Sequence, residues 1–277
     1  MNVLVTLDHH YYPQLQVMLT SLKLNNPRTH IALYMIHNNF PGELLADLKM
    51  WCLSVGFDFI PIQIDGKLFQ DAPVSKRYPI EMYYRLLAAH ILPENVAQIL
   101  YLDPDTLIIN PIWQLWQKDL GENLFAAAAH TGKTDLANNV NRVRLGIENA
   151  YYNSGVLLMN LTRGRKEIVP AEVFSYIEKN RKDLVLPDQD LLNAMYGDSI
   201  LPLDDALWNY DARNYNTYMM RSSGKYNLKW VIEHTSILHF CGKPKPWKQP
   251  YFYRFGMLYY HYEQLAKRSW KTAAQPQ

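Results

Sequence analysis

The chain is poor in cysteine and has no long apolar run. Only two of its 277 residues are cysteines, Cys52 and Cys241, too few for a disulfide framework and too far apart for a zinc motif. Two buried free thiols are therefore expected. No apolar stretch approaches the roughly 18 residues that cross a bilayer, and the first residues lack the pattern of a signal peptide. These absences predict a cytoplasmic protein.

Net charge is only +2, but its distribution is uneven. From Arg221 onward there are ten Lys or Arg residues and two acidic ones, so this segment carries +8 and the first 220 residues carry −6. A basic segment favours contact with something anionic, such as a substrate diphosphate, a membrane surface or nucleic acid. A nucleic-acid-binding protein is expected to show a recognisable motif, and none is present. No nucleic-acid partner is therefore expected.

The first hundred residues alternate β-branched runs with segments of helical periodicity. Strands are predicted at 3–7, 31–36, 57–62 and 98–102, and helices at 15–22, 41–53 and 81–92. This order is typical of an α/β fold with an open, mostly parallel central sheet flanked by helices. Further strands are predicted at 125–129 and 155–159, and further helices at 170–180 and 189–195. Ligands of such sheets bind beyond the carboxyl ends of the strands, where Asp8 and Asp103 would both lie.

The predicted strand at 98–102 ends in Asp103-Pro104-Asp105. Residues two apart in a strand project to the same side, and Pro104 cannot donate to a sheet ladder. Both carboxylates are therefore expected where the strand leaves the sheet. Two hard oxygen donors suit Mg²⁺ or Mn²⁺, which keep few protein ligands and bind water and substrate phosphates as well. By itself, such a pair is more often a solvated turn.

Three further segments contain candidate site residues, each with a structural alternative. Asp8 follows the first strand and either contacts a base or sugar or caps the next helix. Asn153 precedes a predicted strand and either meets a hydroxyl-rich ligand or belongs to a plain turn. Asp188, Gln189 and Asp190 open a helix, where Asp188 could serve simply as a cap.

The segment 238–247 contains His239, Gly242 and Lys245. A neutral imidazole is a good ligand for Mn²⁺, glycine permits close approach of the backbone to a ligand, and lysine suits phosphate. A lone histidine in an apolar run is usually a core residue. Together with the aspartate pair, however, His239 would complete a three-ligand site with positions left for a diphosphate.

Six motifs, in this order, resemble those of the family 8 glycosyltransferases, which are retaining nucleotide-sugar transferases of GT-A fold. The family includes bacterial lipopolysaccharide galactosyl- and glucosyltransferases. The resemblance covers roughly residues 3–250, and its motifs are Asp8, Arg85 within 83–86, and the segments 102–105, 152–160, 188–193 and 239–247.

The resemblance implies a GT-A type nucleotide-sugar-binding fold and a hexosyltransferase. Such an enzyme would move galactose or glucose from UDP-galactose or UDP-glucose to a glycan acceptor, such as a lipopolysaccharide or another cell-surface saccharide. It implies that Mn²⁺, with Mg²⁺ as the alternative, is bound by Asp103, Asp105 and His239. Two departures stand out: His10 replaces a smaller polar residue that lipopolysaccharide-type members often carry, and Pro104 stiffens the metal motif.

The same resemblance assigns the remaining site residues. It implies that Gly242 and Lys245 hold the diphosphate and that Asp8 contacts the uracil and ribose. The residues implied around the donor sugar are Arg85, Asn153, Asp188 and Gln189, with Gln189 beneath the anomeric carbon.

Retention of configuration leaves two routes open. A double displacement needs a carboxylate nucleophile at the anomeric carbon, for which Asp188 or Asp190 is the candidate, because the amide of Gln189 is a poor nucleophile. The favoured route is front-face transfer, in which the departing phosphate oxygen takes the proton of the acceptor hydroxyl. Two other functions stay open: a nucleotide-sugar phosphohydrolase with His9 or His10 as base, and a non-catalytic sugar-nucleotide or glycan-binding protein.

A soft boundary is expected near residue 245. Residues 1–245 would form the catalytic domain, and 246–277 an extension rich in aromatic and basic residues. The favoured interpretation is a C-terminal helix docked by its aromatic side chains. The alternative is peripheral contact with an anionic membrane that carries a lipid-linked acceptor.

Overall fold

The computed structural model of the protein describes residues 1–64, 81–130, 133–248 and 250–273. Its strands are β1 (Asn2–Thr6), β2 (Ile31–His37), β3 (Phe57–Gln63), β4 (Gln98–Leu102), β5 (Thr106–Ile108), β6 (Phe125–Ala128), β7 (Val156–Asn160), β8 (Ile200–Leu203), β9 (Tyr210–Asp211) and β10 (Ile237–His239).

The helices lie between these strands and after the last one. They are α1 (Tyr12–Asn25), α2 (Gly42–Val55), α3 (Glu81–Leu86), α4 (Ala88–Ile91), α5 (Trp113–Trp116), α6 (Lys133–Leu145), α7 (Leu161–Glu167), α8 (Pro170–Asn180), α9 (Pro187–Tyr196), α10 (Asp205–Trp208), α11 (Tyr215–Arg221), α12 (Leu228–His234) and α13 (Gly256–Ala273).

The central sheet has seven described strands in the spatial order β3-β2-β1-β4-β7-β6-β8. Strands β1 to β4 are mutually parallel, and β6 is parallel to β8. Only β7 runs in the opposite direction, between β4 and β6. The predicted α/β fold with a mostly parallel central sheet flanked by helices is confirmed.

The reversed direction of β7 positions the site. Leu102, at the carboxyl end of β4, pairs with Val156, at the amino end of β7. The segment after β4 therefore lies beside the segment before β7, and the amide of Asp103 donates to the carbonyl of Gly155 at 2.8 Å.

A second sheet, of three short strands in the order β5-β10-β9, adjoins the first. Thr106 pairs antiparallel with His239, and His239 pairs in parallel with Asp211. The amide of Phe240 donates to the carbonyl of Asp105 at 3.0 Å. This sheet was not predicted, and it brings the segment after β10 to the end of β4.

Apolar side chains cover both faces of the central sheet. Leu100 and Leu102 belong to one core cluster, while Ile99 and Tyr101 belong to the other. All four side chains are fully buried. This explains why β4 is a continuous apolar run rather than an alternating one, because a strand covered on both faces has no solvent side.

Several local predictions need correction. The predicted helix at 81–92 is interrupted at Leu87, which separates α3 from α4. Cys52 is buried, whereas Cys241 is only half-buried, and both are free thiols. Helix α2 ends at Val55, and Gly56 follows it in the left-handed conformation.

The final helix is docked by its aromatic side chains, as the favoured interpretation expects. The indole of Trp270 stacks on Trp51 with ring centroids 4.6 Å apart and planes 3° apart. Its Nε1 donates to the Thr20 hydroxyl at 3.1 Å. Tyr259 is buried in the same core, whereas Phe252 is 89% exposed. Within the described residues, no helix is both long and apolar enough to span a bilayer.

We expect Trp270→Ala to lower the free energy of unfolding by about 3–5 kcal/mol, because it removes a large buried ring and leaves a cavity against Trp51. Urea denaturation followed by circular dichroism measures this. The matched control is Phe252→Ala, which removes an exposed ring and should change stability by no more than about 0.5 kcal/mol. Equal stability of the two variants would mean that the docking of α13 contributes little.

Candidate active site

The two aspartates lie in the turn that leads from the central sheet into the second one. The amide and hydroxyl of Thr106 donate to the Asp103 carbonyl at 3.1 and 2.8 Å and close this turn. The side chains of Asp103 and Asp105 are 21% and 13% exposed. Both carboxylates lie where β4 leaves the sheet, as predicted, and they are largely withdrawn from water rather than in a solvated turn.

His239 faces Asp105 through its imidazole ring. Its Nδ1 lies 2.9 Å from Oδ1 of Asn209, whose own amide nitrogen donates to Asn153 at 2.9 Å. With Nδ1 directed at Asn209, the other ring nitrogen, Nε2, lies 3.1 Å from Oδ1 of Asp105. That oxygen is buried and has no hydrogen-bond donor among the described residues.

Asp103, Asp105 and His239 form a compact cluster of possible metal ligands. The ligand atoms of Asp103, Asp105 and His239 all lie within 4.8 Å of one another. A hydrogen bond to the far nitrogen of an imidazole is the usual way in which a protein orients a metal-binding histidine. Two carboxylates and one imidazole therefore fit a divalent ion of the Mn²⁺ or Mg²⁺ type.

Positive side chains already surround the aspartates. Oδ1 of Asp103 lies 3.0 Å from Nη2 of Arg85 and accepts from the Tyr101 hydroxyl at 2.5 Å. Burial raises the pKa of Asp103, although Arg85 acts against it. Burial would also raise the pKa of Asp105, but His239 and Lys245 outweigh it and hold that pKa well below its usual range.

Lys245 and Gly242 reach the same place from the turn after β10. The Lys245 ammonium forms an ion pair with Oδ2 of Asp105 and donates to the Phe240 carbonyl at 2.8 Å. Gly242 has a φ of +79°, which few other residues adopt. The turn is thus folded tightly beside Asp105.

Arg85 connects the aspartate pair to the start of α9. Its Nη1 lies 3.1 Å from Oδ2 of Asp188 and donates to the Ser154 carbonyl at 3.0 Å. The guanidinium stacks over the Tyr101 ring, 4.4 Å from its centroid. Burial would lower the pKa of Arg85, but Asp103, Tyr101 and Asp188 raise it. The arginine stays charged and bridges both acidic groups.

A chain of amides connects Gln189 to His239. The Asn153 amide nitrogen donates to the Gln189 side-chain oxygen at 3.0 Å, and the Asn209 nitrogen donates to Asn153 at 2.9 Å. The other end of Asn209 accepts from His239 at 2.9 Å. Sequence reasoning missed Asn209, because no motif or spacing distinguishes it from other polar residues.

Asp190 lies apart from this network. Its carboxylate is fully buried and binds Arg144 at 2.8 Å, the Tyr151 hydroxyl at 2.5 Å and the amides of Val185 and Leu186 at 2.6 and 2.9 Å. These contacts hold the start of α9 in place. The structure thus connects Asp188 and Gln189 to the candidate metal ligands, through Arg85 and the amide chain, and surrounds Asp190 with other partners.

Asp8 lies at the carboxyl end of β1 and is half exposed, at 54%. It accepts from the amide of His10 at 2.8 Å and so caps the short turn His9–Tyr11, as the structural alternative expected. It also contacts the His10 ring. Partial burial would raise the pKa of Asp8, but these His10 contacts lower it. A cavity of about 270 Å³ adjoins Asp8 and is also lined by His37 and Phe40.

We expect Gly155→Ala to weaken Mn²⁺ binding strongly, because a Cβ there would collide with His239 and lie 2.7 Å from Oδ2 of Asp103. Isothermal titration with Mn²⁺ measures the effect, with circular dichroism as the check on folding. Gly42→Ala is the matched control, since a Cβ at Gly42 meets nothing within 4 Å. Unchanged affinity in a folded Gly155→Ala variant would place the ion elsewhere.

Comparison with known proteins agrees with this geometry. The model of glycosyl transferase family 8 matches residues 2–250. General stress protein A of Bacillus subtilis (strain 168) is 26% identical over 284 aligned positions, which cover 100% of this chain and 96% of that protein. Lipopolysaccharide 1,2-glucosyltransferase of Escherichia coli (strain K12) is 26% identical over 89% of this chain and 72% of its own length.

A solved structure shares the fold. The galactosyltransferase LgtC, in complex with donor and acceptor sugar analogs, superimposes with a TM-score of 0.79 at 21% identity, covering 99% of this chain and 100% of LgtC. The GT-A fold implied by the motifs is therefore confirmed. Because the family match extends over nearly the whole sequence, the chain belongs to glycosyl transferase family 8.

Proposed function

We propose that this glycosyltransferase is a metal-dependent, retaining enzyme that moves galactose or glucose from a UDP-hexose to a saccharide acceptor. The observation that carries the proposal is the cluster of Asp103, Asp105 and His239, whose ligand atoms lie within 4.8 Å of one another, and in which Oδ1 of Asp105 is buried with no hydrogen-bond partner among the described residues. Two carboxylates and one imidazole fit a divalent cation, which would lie next to the residues expected to hold the diphosphate.

Several residues together would stabilise the departing diphosphate. When bound, Mn²⁺ or Mg²⁺ would neutralise negative charge as the bond to the sugar breaks. Asp103, Asp105 and His239 would hold the ion. Lys245 is already beside Asp105 and supplies a second positive charge, while the Gly242 backbone allows close approach of a phosphate.

On the sugar side, we assign Asn153, Asp188 and Gln189 to binding the hexose. Arg85 holds Asp188, and the amide chain through Asn209 fixes Asn153 and Gln189. Their orientation is set before substrate arrives, which lowers the entropy lost on binding.

We favour front-face transfer over double displacement. Asp190, one of the two candidate nucleophiles, is enclosed by Arg144, Tyr151 and two backbone amides. The other, Asp188, is paired with Arg85 at 3.1 Å, and an ion-paired carboxylate is a weaker nucleophile. In the front-face route, the acceptor hydroxyl attacks on the side that the diphosphate leaves, and its proton passes to the departing phosphate oxygen.

The acceptor is proposed to be a lipopolysaccharide or another cell-surface saccharide. Two observations support this choice: the lipopolysaccharide glucosyltransferase among the relatives, and the surface near the extension. There, Phe252, Tyr253 and Met257 are exposed by 89%, 38% and 79%, and Lys248 and Arg254 of the same segment are also exposed. Exposed apolar and basic side chains together suit an anionic membrane.

Release of UDP tests the transferase assignment. UDP-galactose and UDP-glucose are each supplied with Mn²⁺, with and without a panel of saccharide acceptors. A transferase releases UDP fast only when an acceptor is present. Equal release without any acceptor would identify a phosphohydrolase or sugar-nucleotide hydrolase, and absence of turnover with binding of UDP would identify a non-catalytic binding protein.

We expect Asp105→Asn to lower Mn²⁺ affinity by at least about 10- to 100-fold, because loss of a direct ligand should cost no less than loss of a residue that orients one. Acceptor-dependent UDP release should fall with it. Calorimetric titration and the UDP assay provide the two measurements. Asp58→Asn is the control, since that side chain is 63% exposed and lies on β3. Wild-type Mn²⁺ affinity in Asp105→Asn would contradict the metal assignment.

Binding to vesicles tests the membrane proposal. At low salt, the full chain should co-sediment with vesicles that contain anionic lipid, and high salt should release it. The double variant Phe252→Ser, Met257→Ser should bind at least several-fold more weakly. Leu53→Ser, which changes an equally exposed apolar side chain on α2, should bind like the wild type. If the wild type fails to sediment at low salt, the membrane proposal is wrong.

A further inference from the structure

A buried aspartate holds Arg213 in a fixed position just after β9. The Arg213 guanidinium donates through Nε and Nη2 to the two carboxylate oxygens of Asp211, at 2.9 and 2.7 Å. Asp211 is fully buried and also accepts from Asn214 at 2.8 Å. A two-point contact of this kind fixes the plane of the guanidinium as well as its position. No role described above requires such a fixed arginine.

The opposite edge of this guanidinium lies against Gly242. A Cβ built at Gly242 would collide with Nη1 of Arg213, so the two groups are in direct contact. Among the described residues, no acceptor binds Nη1, while Nη2 also reaches the Cys241 sulfur at 3.5 Å. The Arg213 side chain is 26% exposed. Its Nη1 therefore has N–H groups to offer to a ligand that settles on the Gly242 turn.

The turn at 241–245 thus has a positive charge on each side. Lys245 pairs with Asp105, toward the metal ligands, and Arg213 covers Gly242. The two cations differ in chemistry. An ammonium acts as a point charge, whereas a guanidinium with a free edge binds phosphate oxygens directionally.

We propose that Arg213 is a further diphosphate-binding residue, which donates from Nη1 to a phosphate oxygen of the UDP-sugar. This inference rests on the function proposed above. During transfer the bond between the anomeric carbon and the diphosphate oxygen breaks, and its electron pair stays on UDP. The acceptor oxygen forms the new bond to that carbon and gives its proton to the departing phosphate. Arg213 holds UDP throughout, and its hydrogen bond strengthens as negative charge grows on the diphosphate.

Binding of UDP, UMP and uridine in the presence of Mn²⁺ tests the assignment, because the three ligands share a base and differ in phosphates. Arg213→Gln should bind UDP at least about tenfold more weakly, as expected for loss of a hydrogen bond to a charged group. Its affinity for uridine should stay within about twofold of the wild type. Arg213→Lys, which keeps the charge without the directional edge, should have a UDP affinity between those of the wild type and Arg213→Gln.

Arg221→Gln is the matched control. Arg221 also pairs with a buried aspartate, Asp205, at 3.0 Å, but it lies at the end of α11 rather than on the Gly242 turn. Its loss should leave UDP affinity unchanged. If Arg221→Gln weakens UDP binding as much as Arg213→Gln does, then loss of a buried ion pair explains both results, and the proposal is wrong.

Three other results overturn the proposal. The first is equal affinity for UDP in the wild type and Arg213→Gln, and the second is an equal loss for UDP and uridine. The third is an increase of the KM for the acceptor alone, which would assign Arg213 to acceptor binding instead. If Arg213→Gln does not fold, the ratio of UDP to uridine affinity in Arg213→Lys decides. Failure of the wild type to bind UDP would overturn the proposed function itself, whereas the outcomes above affect only Arg213.

Discussion

The burial of two carboxylates, Asp103 and Asp105, is the constraint on which the rest of the site depends. Withdrawing a charge from water costs several kcal/mol unless other charges and hydrogen bonds compensate. Here Arg85 compensates Asp103, while Lys245 and His239 compensate Asp105. These partners come from α3 and from the segment around β10, so the fold must bring distant parts of the chain to the end of β4. The second sheet and the reversed strand β7 are the elements that do so.

Local patterns predicted most of the central sheet but not its connections. Apolar runs identify β1 to β4, β6 and β7, because strands of this length leave a clear signal. An apolar run does not show which way its strand points, so the sequence did not predict the antiparallel pairing of β7. The strands of the second sheet have only two or three residues, too few for a period to appear. Their pairing depends on tertiary contacts.

In the site, the same spacing of two residues has different structural consequences in a turn and in a helix. Asp103 and Asp105 are two apart in a turn, and their ligand atoms meet. Asp188 and Asp190 are also two apart, but they lie in a helix, where that spacing separates side chains by about 200° around the axis. One carboxylate therefore reaches Arg85, and the other reaches Arg144. Sequence motifs grouped these two aspartates, and only the helix geometry separates their surroundings.

The amide of Asn209 has a consequence for the energetics of binding. One end of it accepts from His239 and the other end donates to Asn153, so a single planar group connects a proposed metal ligand with a residue proposed to bind the sugar. A ligand that displaces either end must move the other. Thermodynamic linkage then requires reciprocity: whatever free energy a ligand at His239 adds, through this amide, to the binding of a ligand at Asn153, the second ligand adds to the binding of the first.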